Sequence, residues 1–513
     1  MASASTRKDP AARILELERQ LRFAHLKIQV LEERLRQKRI EQLGPKSETL
    51  SNLQLELLSE EEPGVTVDEV EAEAKREPVV EAPPREGRNN HKHPGRERLP
   101  EHLKRVESIV ACQDRNCACC GQETEVFDYD ISEQLDVEPA RYFVRVIKRE
   151  KRVCRHCDGS NGKSAVMMAP LAPRIVEKGL ASDAVVIDTV VKKYCDHLPL
   201  YRQAMIFERE AGVEISRVTL NGWVMRVGEM LEPVVQSMRK DLLAAGYLQA
   251  DETTVPVQIR QEKRGANHEA YLWQYGRPGG ETVFDFRMGR EREGPAKFLG
   301  QWEGILQTDG YQAYDGVGGP KLVHVGCWAH ARRKFVDAVK VNGNDAEAAK
   351  MVVRMDALFV IDREARNAAV SDSERLVMRD EHAKEWLDAI WKSCLALTST
   401  SLPQSALGKA CRYTLNMWSK LVRCLEHEQV ELSNNLAENS MRPVAVGRKN
   451  WLHVGSEKAG PKVATILSVI ESCRRLDVSP RDYLAAVLPG LERKTLQQAA
   501  LLTPARWAAS RGR

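Results

Sequence analysis

The stretch from residue 247 to residue 325 constrains the fold more than any other part of the chain, because it alternates short apolar runs with turn signals. Five runs have the length and composition of β-strands, at residues 247–250, 270–275, 282–286, 305–308 and 321–325. Residues 294–302, between the third and fourth runs, are typical of a short helix. This order predicts an α/β domain.

Two aspartates stand at or just beyond the ends of these runs, Asp251 after the first and Asp309 after the fourth. Strand ends are where open α/β sheets place their functional sites. With Glu438 they supply three carboxylates, the ligand type that Mg²⁺ or Mn²⁺ prefers. Two such ions about 3.5–4 Å apart can activate an attacking oxygen and stabilise a leaving one, which predicts cleavage of nucleic acid. Taken singly, each acid is usually a solvated turn residue, and it is the combination of the three that indicates a site. No role is assigned to the nearby acids Glu252 and Asp315.

Glu438 lies on a short predicted helix. Ser433 or Asn434 could cap this helix at its start, and Pro443 is expected to end it. Arg442, four residues after Glu438, shares its helical face and could pair with it or reach a phosphate.

The composition is that of a globular protein, with 42% hydrophobic and 29% charged residues among 513. The net charge is only +4, so affinity for nucleic acid must come from local basic patches. No uninterrupted apolar run approaches the roughly 18 residues of a membrane span, and the start of the chain lacks a signal-peptide core. A cytoplasmic protein of three or four domains, without a membrane partner, is expected.

Apolar residues near the N-terminus recur at alternating spacings of three and four. They are Ile14, Leu17, Leu21, Ala24, Ile28, Leu31 and Leu35. This seam predicts either a dimerising coiled coil near DNA or an amphipathic helix packed on its own protein. Residues 56–86 hold eleven acids, three bases and four prolines, which is typical of a linker. The basic stretch that follows could lie along phosphates or be a solvated tail.

Two C-x-x-C pairs stand in the N-terminal third of the chain. They are Cys117 with Cys120 and Cys154 with Cys157. Four thiolates at this spacing are typical of one structural zinc ion, and the alternating residues 141–146 predict a strand between the pairs. Cys112, Cys119 and His156 are neighbours that could substitute as ligands. The remaining cysteines do not form a disulfide framework.

Residues 181–245 carry apolar positions at helical intervals, with a break near Gly212 and a second helix starting at Ser216 or Thr219. The pattern fits a helix-turn-helix and a plain helical bundle equally well. Residues 336–431 are almost entirely helix-like, which predicts a helical insertion between the second and third acids.

Two groups of basic and aromatic residues flank this insertion. The first is His330, Arg332, Arg333 and Lys334, and the second is Arg448, Lys449, Trp451 and His453. The first group could grip a phosphate. Cys327 and His330 have C-x-x-H spacing, but two ligands do not make a zinc site. The second group suits contact with a DNA backbone and base stacking, or alternatively forms a β-hairpin with a buried Trp451.

Several longer motifs accompany these residues. They are LGPKSE at residues 43–48, the two cysteine pairs, LPLYRQ at 198–203, ADET at 250–253, TDGY at 308–311, CWAHARR at 327–333, NNLAENSMRP at 434–443 and GRKNW at 447–451. Together they resemble the large transposase of the insertion-sequence 66 family, a DDE transposase. The extra cysteine of the first pair departs from the family pattern, which leaves Cys117 or Cys119 as the zinc ligand.

The resemblance implies a ribonuclease H-like mixed sheet as the catalytic core, in which Asp251, Asp309 and Glu438 match the family's acids. It implies DNA transposition, with element ends and target DNA as partners and with small accessory proteins from the same element. A homo-oligomer is also expected. The predicted divisions are a coiled coil at 1–55, a linker at 56–100, a zinc ribbon at 101–165, a helical DNA-binding region at 166–243, the core at 244–335 and 425–475, a helical insertion at 336–424 and a helical tail at 476–513.

Three functions are compatible with these residues. In an active transposase, water and then a freed 3′ hydroxyl attack DNA phosphodiester bonds with metal assistance. A regulatory relative would keep the zinc ribbon and the coiled coil but do no chemistry, and a nuclease could use the same core. The presence of all three acids favours an enzyme, and the N-terminal recognition modules argue against a simple nuclease.

Overall fold

The structure is a computed structural model, and it describes residues 21, 105–107, 109, 119, 122, 129, 141–153, 166–259, 267–343 and 345–511. Residues 76–146 form one compact unit, and the described residues from Ile147 onward belong to a larger one. Of the predicted coiled-coil seam, Leu21 is described, as an exposed helical residue. The acidic linker and the four C-x-x-C cysteines lie outside the described residues.

A small antiparallel ladder pairs β1 (Lys151–Val153) with β2 (Val166–Met168). The strand predicted at residues 141–146 is wrong, because these residues have no regular structure. Phe143 and Val144 are exposed. An alternating pattern forms a strand where a partner strand and a packed surface take up one face, and none of the described residues provides such a surface over Phe143 and Val144.

A five-stranded mixed sheet forms the centre of the larger unit, as the α/β prediction requires. Its strands are β3 (Tyr247–Val257), β4 (His268–Gly276), β5 (Thr282–Arg287), β6 (Ile305–Gln307) and β7 (Val323–Val325). Their order is β5-β4-β3-β6-β7. Strand β4 is antiparallel to both β5 and β3, β6 is parallel to β3, and β7 is parallel to β6. The short helix α4 (Glu293–Leu299) connects β5 to β6, close to its predicted place.

The predicted end of β3 is wrong. Asp251 was expected at or beyond the strand end, yet β3 continues to Val257, and Asp251 pairs with Gln274 of β4 inside the ladder. The four polar residues at 251–254 read locally as the start of a loop. They stay extended because β4 supplies hydrogen-bond partners along this whole stretch.

Three helices precede the sheet: α1 (Asp183–Tyr194), α2 (Leu200–Ala211) and α3 (Arg217–Leu243). The predicted break and restart are confirmed, since Gly212 ends α2 with φ 64° and the Ser216 side chain accepts a hydrogen bond from the Thr219 amide. Buried residues run along the whole length of α3, which packs against a later helix. Packing of this kind is expected for a helical bundle, and DNA contact by this region stays a prediction.

The segment predicted as a helical insertion contains helices and no strand among its described residues. The helices that follow β7 are α5 (Trp328–Val341), α6 (Ala346–Asn367), α7 (Asp372–His382), α8 (Lys384–Thr400) and α9 (Ala406–Leu421). They share an apolar core with the β6–β7 side of the sheet. Within that core Arg379 donates to both carboxylate oxygens of Asp362, at 2.7 and 2.8 Å.

The third acid lies on a helix that is longer than predicted. This helix, α10 (Asn435–Trp451), continues through Pro443 and includes Arg448, Lys449 and Trp451, for which a β-hairpin was the alternative, whereas His453 lies beyond its end. An interior proline costs about 3 kcal/mol, and the burial of Met441 and Val444 together with packing on β3 and β4 offsets this. The side chain of the N-cap residue Asn434 makes no capping hydrogen bond.

Helix α11 (Gly460–Arg475) covers the edge of the sheet at β5. The Ser468 and Ser472 hydroxyl oxygens accept hydrogen bonds from the amides of Phe284 and Thr282, at 2.8 and 2.9 Å. Three short helices follow, namely α12 (Pro480–Val487), α13 (Leu496–Ala500) and α14 (Pro504–Ser510). Among the described residues, no helix has the length and apolar character needed to cross a membrane.

Candidate active site

The register of the central strands brings the first and second acids side by side. β3 and β6 run parallel, and their last paired residues are Gln249 and Gln307. Asp251 and Asp309 each lie two residues beyond this pair. Parallel strands in register carry equivalent positions to the same end of the sheet, so both aspartates lie at the carboxyl end of β6.

Electrostatic interactions connect Asp251 with the other two acids. Burial raises the pKa of the Asp251 carboxyl well above its usual range, and the charges of Glu252, Asp309 and Glu438 raise it further. The Glu252 amide, which donates to Asp251 Oδ1 at 2.9 Å, acts in the opposite direction. A carboxyl group surrounded by like charges is one that a bound cation stabilises strongly.

Asp309 opens a tight turn that is held at several points. Its Oδ1 accepts a hydrogen bond from the Tyr311 amide at 2.8 Å, and the Gly310 amide donates to Thr308 Oγ1 at 3.1 Å. Gly310 has φ 92°, a conformation that favours glycine. From α9, the Tyr413 hydroxyl donates to the Asp309 carbonyl oxygen at 2.6 Å. The turn therefore holds the Asp309 carboxylate in one orientation.

Glu438 lies in the first turn of α10 and faces two residues of α5. Arg333 Nη2 donates to Glu438 Oε2 at 3.2 Å, whereas His330 Nδ1 lies 3.6 Å from Glu438 Oε1, too far for a hydrogen bond. Both His330 Nδ1 and Glu438 Oε1 are buried and have no hydrogen-bond partner among the described residues. Burial lowers the pKa of His330, although the charges of Glu438 and Asp309 act to raise it.

The donor set fits a hard divalent cation, but the side chains do not converge as they lie. Within the described ranges, no three His, Cys, Asp or Glu side chains are grouped closely enough to hold a metal ion. The Glu438 Oε1 atom and the mutually repelling charges around Asp251 nevertheless suit an oxygen-rich cation site. For the three acids to share ions, their side chains must move from these positions.

Of the predicted phosphate-binding cluster on α5, His330 and Arg333 lie beside Glu438 and Arg332 does not. Arg332 instead donates to both carboxylate oxygens of Asp356 on α6. It therefore joins two helices of the insertion. Lys334 lies with its ammonium nitrogen 5.7 Å from the centre of the Tyr413 ring.

The basic and aromatic residues of α10 occupy different surroundings. Arg448 Nη1 donates to Thr253 Oγ1 at 3.2 Å and to the carbonyl and hydroxyl oxygens of Thr254, which ties α10 to β3. Arg442 and Lys449 are exposed. Trp451 is half-buried, and the Lys193 ammonium nitrogen lies 5.5 Å from its ring centre.

Sequence reasoning missed two acids that take part in the site's surroundings. Glu252 accepts hydrogen bonds from Arg290 and from the Tyr314 hydroxyl, and burial raises its pKa against the effect of Arg290. Asp315 pairs with Lys420 and with His324. The adjacent acids of the ADET motif were an available signal for Glu252, whereas nothing local distinguishes Asp315.

Of the cysteines singled out as possible metal ligands, Cys327 and Cys119 are among the described residues. Cys327 is buried, its Sγ accepts a hydrogen bond from the Asn434 amide at 3.4 Å, and burial raises its pKa to about 12. It is therefore a protonated thiol and a poor metal ligand. The predicted zinc ligands are outside the described residues, and their neighbour Cys119 is exposed. The choice of cysteines that bind zinc therefore stays a prediction.

Three family models match this chain. Residues 178–462 match the model described as the transposase IS66 family. Residues 114–158 match the zinc-finger binding domain of transposase IS66, a range that includes both C-x-x-C pairs and excludes Cys112. Residues 30–107 match a model described as transposase C of IS166 homeodomain, and this range extends across the predicted linker.

Proteins of similar sequence occur in Sinorhizobium fredii (strain NBRC 101917 / NGR234). The uncharacterized protein y4jD is 33% identical over 429 residues, which is 80% of this chain and 82% of the relative. The uncharacterized protein y4hP is 30% identical over 510 residues, 94% of this chain and 89% of the relative. Because the transposase model alone spans more than half of the sequence, the chain belongs to the IS66 transposase family.

Proposed function

We propose that this protein cleaves and joins DNA strands, with Asp251, Asp309 and Glu438 holding two divalent cations, Mg²⁺ or Mn²⁺. The observation that supports this most is the electrostatic interaction of Asp251, on β3, with Asp309 in the turn after β6 and with Glu438 on α10. When bound, the cations supply the Lewis acidity that activates an attacking oxygen and stabilises a leaving one. The first attacking group is water, and the second is the 3′ hydroxyl that this cleavage frees.

The chain's own side chains prepare each acid for this task. The Tyr311 amide orients the Asp309 carboxylate. His330, kept neutral by burial, leaves Glu438 Oε1 without a hydrogen bond and available to a cation. Arg333, which holds the other oxygen of Glu438, stands where it can contact a phosphate oxygen of the bound strand.

Other parts of the chain are proposed to recognise DNA and partner proteins. Cys117, Cys120, Cys154 and Cys157 bind one structural zinc ion, with Cys119 as the alternative to Cys117. The N-terminal modules, together with Arg442 and Lys449, contact DNA at the element ends. The protein acts as a homo-oligomer with small accessory proteins of the same element, on a ribonuclease H-like core.

A second candidate is a DNA-binding relative that does no chemistry. It is favoured by the fact that no three ligand side chains within the described part of the chain are close enough to share an ion. A nuclease on the same core has no such observation in its favour. The active transposase and the silent relative differ in DNA cleavage, whereas both bind DNA.

Replacement of the three acids distinguishes the active transposase from the silent relative. Asp251→Asn, Asp309→Asn and Glu438→Gln keep side-chain shape but remove the charge that holds cations, so each is expected to reduce cleavage of a labelled end-containing DNA by at least about a thousandfold. Binding to the same fragment, followed by gel shift, should be retained within about threefold, because these acids contribute no attraction to phosphates.

Matched controls come from exposed acids of the helical insertion. The side chains of Asp388 and Glu381 are 74% and 63% exposed, so Asp388→Asn and Glu381→Gln should cleave like the wild type. Glu252 and Asp315 are unsuitable controls, because both make hydrogen bonds next to the site. If a variant of one acid cleaves like the wild type, that acid is not a cation ligand. A wild-type protein that binds but never cuts supports the silent relative.

A further inference from the structure

A chain of contacts joins the strand of the first acid to the turn of the second. Glu252 follows Asp251 in β3, and its side chain is only 2% exposed. Its Oε1 accepts hydrogen bonds from Arg290 Nε at 3.1 Å and from Nη2 at 2.6 Å. Its Oε2 accepts a hydrogen bond from the hydroxyl of Tyr314, at 2.9 Å, in the segment that follows Asp309.

Arg290 is held on its other side by Tyr311. The guanidinium carbon lies 3.9 Å from the centre of the Tyr311 ring, and the Tyr311 hydroxyl donates to the Arg290 carbonyl oxygen at 3.0 Å. The Tyr311 amide in turn donates to Asp309 Oδ1. Arg290 thus contacts the immediate chain neighbour of Asp251 and the residue that orients Asp309.

We propose that Arg290 is a positioning residue, which together with Glu252 and Tyr311 fixes the separation of Asp251 and Asp309 before any cation binds. This inference rests on the proposed function. Repulsion between the carboxylates around Asp251 tends to push the β3 strand and the Asp309 turn apart. Arg290 opposes this with a planar group that bonds one segment through its edge and stacks on the other through its face, which a lysine cannot do.

Arg290 is suited to mutation, because its side chain is 46% exposed and its loss leaves no large cavity. Arg290→Met keeps the length of the stem and removes the guanidinium. It also leaves the buried Glu252 charge without its partner, which threatens the fold. The double variant Arg290→Met with Glu252→Gln removes that charge as well and still lacks the connection to Tyr311.

The experiment measures Mn²⁺ binding to the full-length protein by electron paramagnetic resonance, together with the Mn²⁺ dependence of end cleavage. Loss of a side chain that orients metal ligands typically weakens binding about 10- to 100-fold, so both Arg290 variants should raise the half-saturating Mn²⁺ concentration by this factor. Arg290→Lys should behave similarly, because a lysine lacks the planar group that bonds Glu252 and stacks on Tyr311. Excess Mn²⁺ should restore part of the cleavage.

Arg209→Met is the control, since Arg209 also pairs with a glutamate but is 66% exposed and far along the chain from the acids. Wild-type Mn²⁺ binding in the folded Arg290 variants overturns the proposal. Loss of the fold in Arg290→Met, Arg290→Lys and the double variant alike also overturns it, because Arg290 then serves stability alone. Should Asp251→Asn bind Mn²⁺ like the wild type, the proposed function itself is wrong. If Asp251→Asn loses Mn²⁺ and Arg290→Met does not, only the positioning role fails.

Discussion

Among single residues, His324 connects the Asp309 turn with the ion pair between Asp315 and Lys420. Its Nε2 lies 2.8 Å from Thr308 Oγ1, and its Nδ1 lies 3.2 Å from Asp315 Oδ1. A carboxylate accepts hydrogen bonds, so Nδ1 carries the hydrogen and Nε2 accepts from the Thr308 hydroxyl. Burial, helped by the charge of Lys420 and opposed by Asp315, lowers the pKa of His324 to about 4.

This lowered pKa makes stability depend on pH. Because the unfolded chain binds the proton near pH 6.5 and the folded chain only near pH 4, the contribution of His324 is complete above about pH 6.5 and is lost as the pH falls towards 4. It amounts to about 3 kcal/mol of the free energy of unfolding. We expect His324→Gln to flatten the fall of the thermal midpoint across this range, followed by circular dichroism. His382→Gln, at an exposed histidine, should keep the wild-type slope. If the wild type, His324→Gln and His382→Gln all show the same slope, His324 is not the source of the pH dependence.

Sequence reasoning predicted the positions of single residues of the candidate site better than their contacts. Asp309 was predicted correctly after a strand, because an apolar run ends directly before it. The place of Asp251 inside β3 depends on pairing with β4, which local composition does not reveal. Arg332 and Arg333 are adjacent arginines, yet Arg332 pairs with Asp356 and Arg333 pairs with Glu438. Partners that lie so far apart in the chain are visible only in the folded protein.

Among the elements, α9 does more than separate the second acid from the third. Tyr413, Met417 and Lys420 share one face of this helix and contact the segment that starts at Asp309. A side chain added at Gly310 would approach Met417 Cε to 2.5 Å. The insertion therefore supports the turn of the second acid from behind.

Tyr413→Phe tests this support, because it removes one hydroxyl and keeps the ring. The lost hydrogen bond to the Asp309 carbonyl is worth about 1 kcal/mol, which corresponds to a roughly fivefold loss of cleavage if the turn shifts in the transition state. DNA binding in a gel shift should not change. Tyr201→Phe, at an exposed tyrosine, is the control. Unchanged cleavage in Tyr413→Phe would mean that α9 does not support the site.

The helices themselves were predictable, and their ends were less so. Helical periodicity predicted the helices found between residues 336 and 431, since apolar spacing along one face is a local property. The continuation of α10 past Pro443 is not local, because it depends on the burial of Met441 and Val444. Residues 141–146 show the reverse case, in which alternation occurs without a surface to cover it.

The zinc-finger region should depend on its metal for folding. Four thiolates at this spacing fold around zinc, and the segment offers little else from which to form a core. We expect about one zinc per chain by metal analysis. The double variant Cys154→Ser and Cys157→Ser should lose this zinc and the preference for element ends in a gel shift. Full zinc content in that variant would exclude these two cysteines as ligands.

For the whole molecule, association is expected to depend on the N-terminal seam. Leu17→Glu together with Leu31→Glu places charges on that seam and should shift the full-length protein towards monomer in sedimentation experiments at micromolar concentration. Gln20→Glu with Gln37→Glu adds the same charges at positions outside the seam and should leave the mass unchanged. A monomeric wild type would favour the alternative in which this helix packs on its own protein.

The serines that cover β5 have a consequence for how the chain is made. Ser468 bonds the amide of Phe284 across 184 residues of sequence. At roughly 5–20 residues per second, β5 is synthesised roughly 10–40 s before α11 follows. During that interval the outer edge of β5 lacks this partner, and an open strand edge can pair with another chain. Slower translation between β5 and α11 lengthens this interval, and it should therefore lower the yield of folded chains.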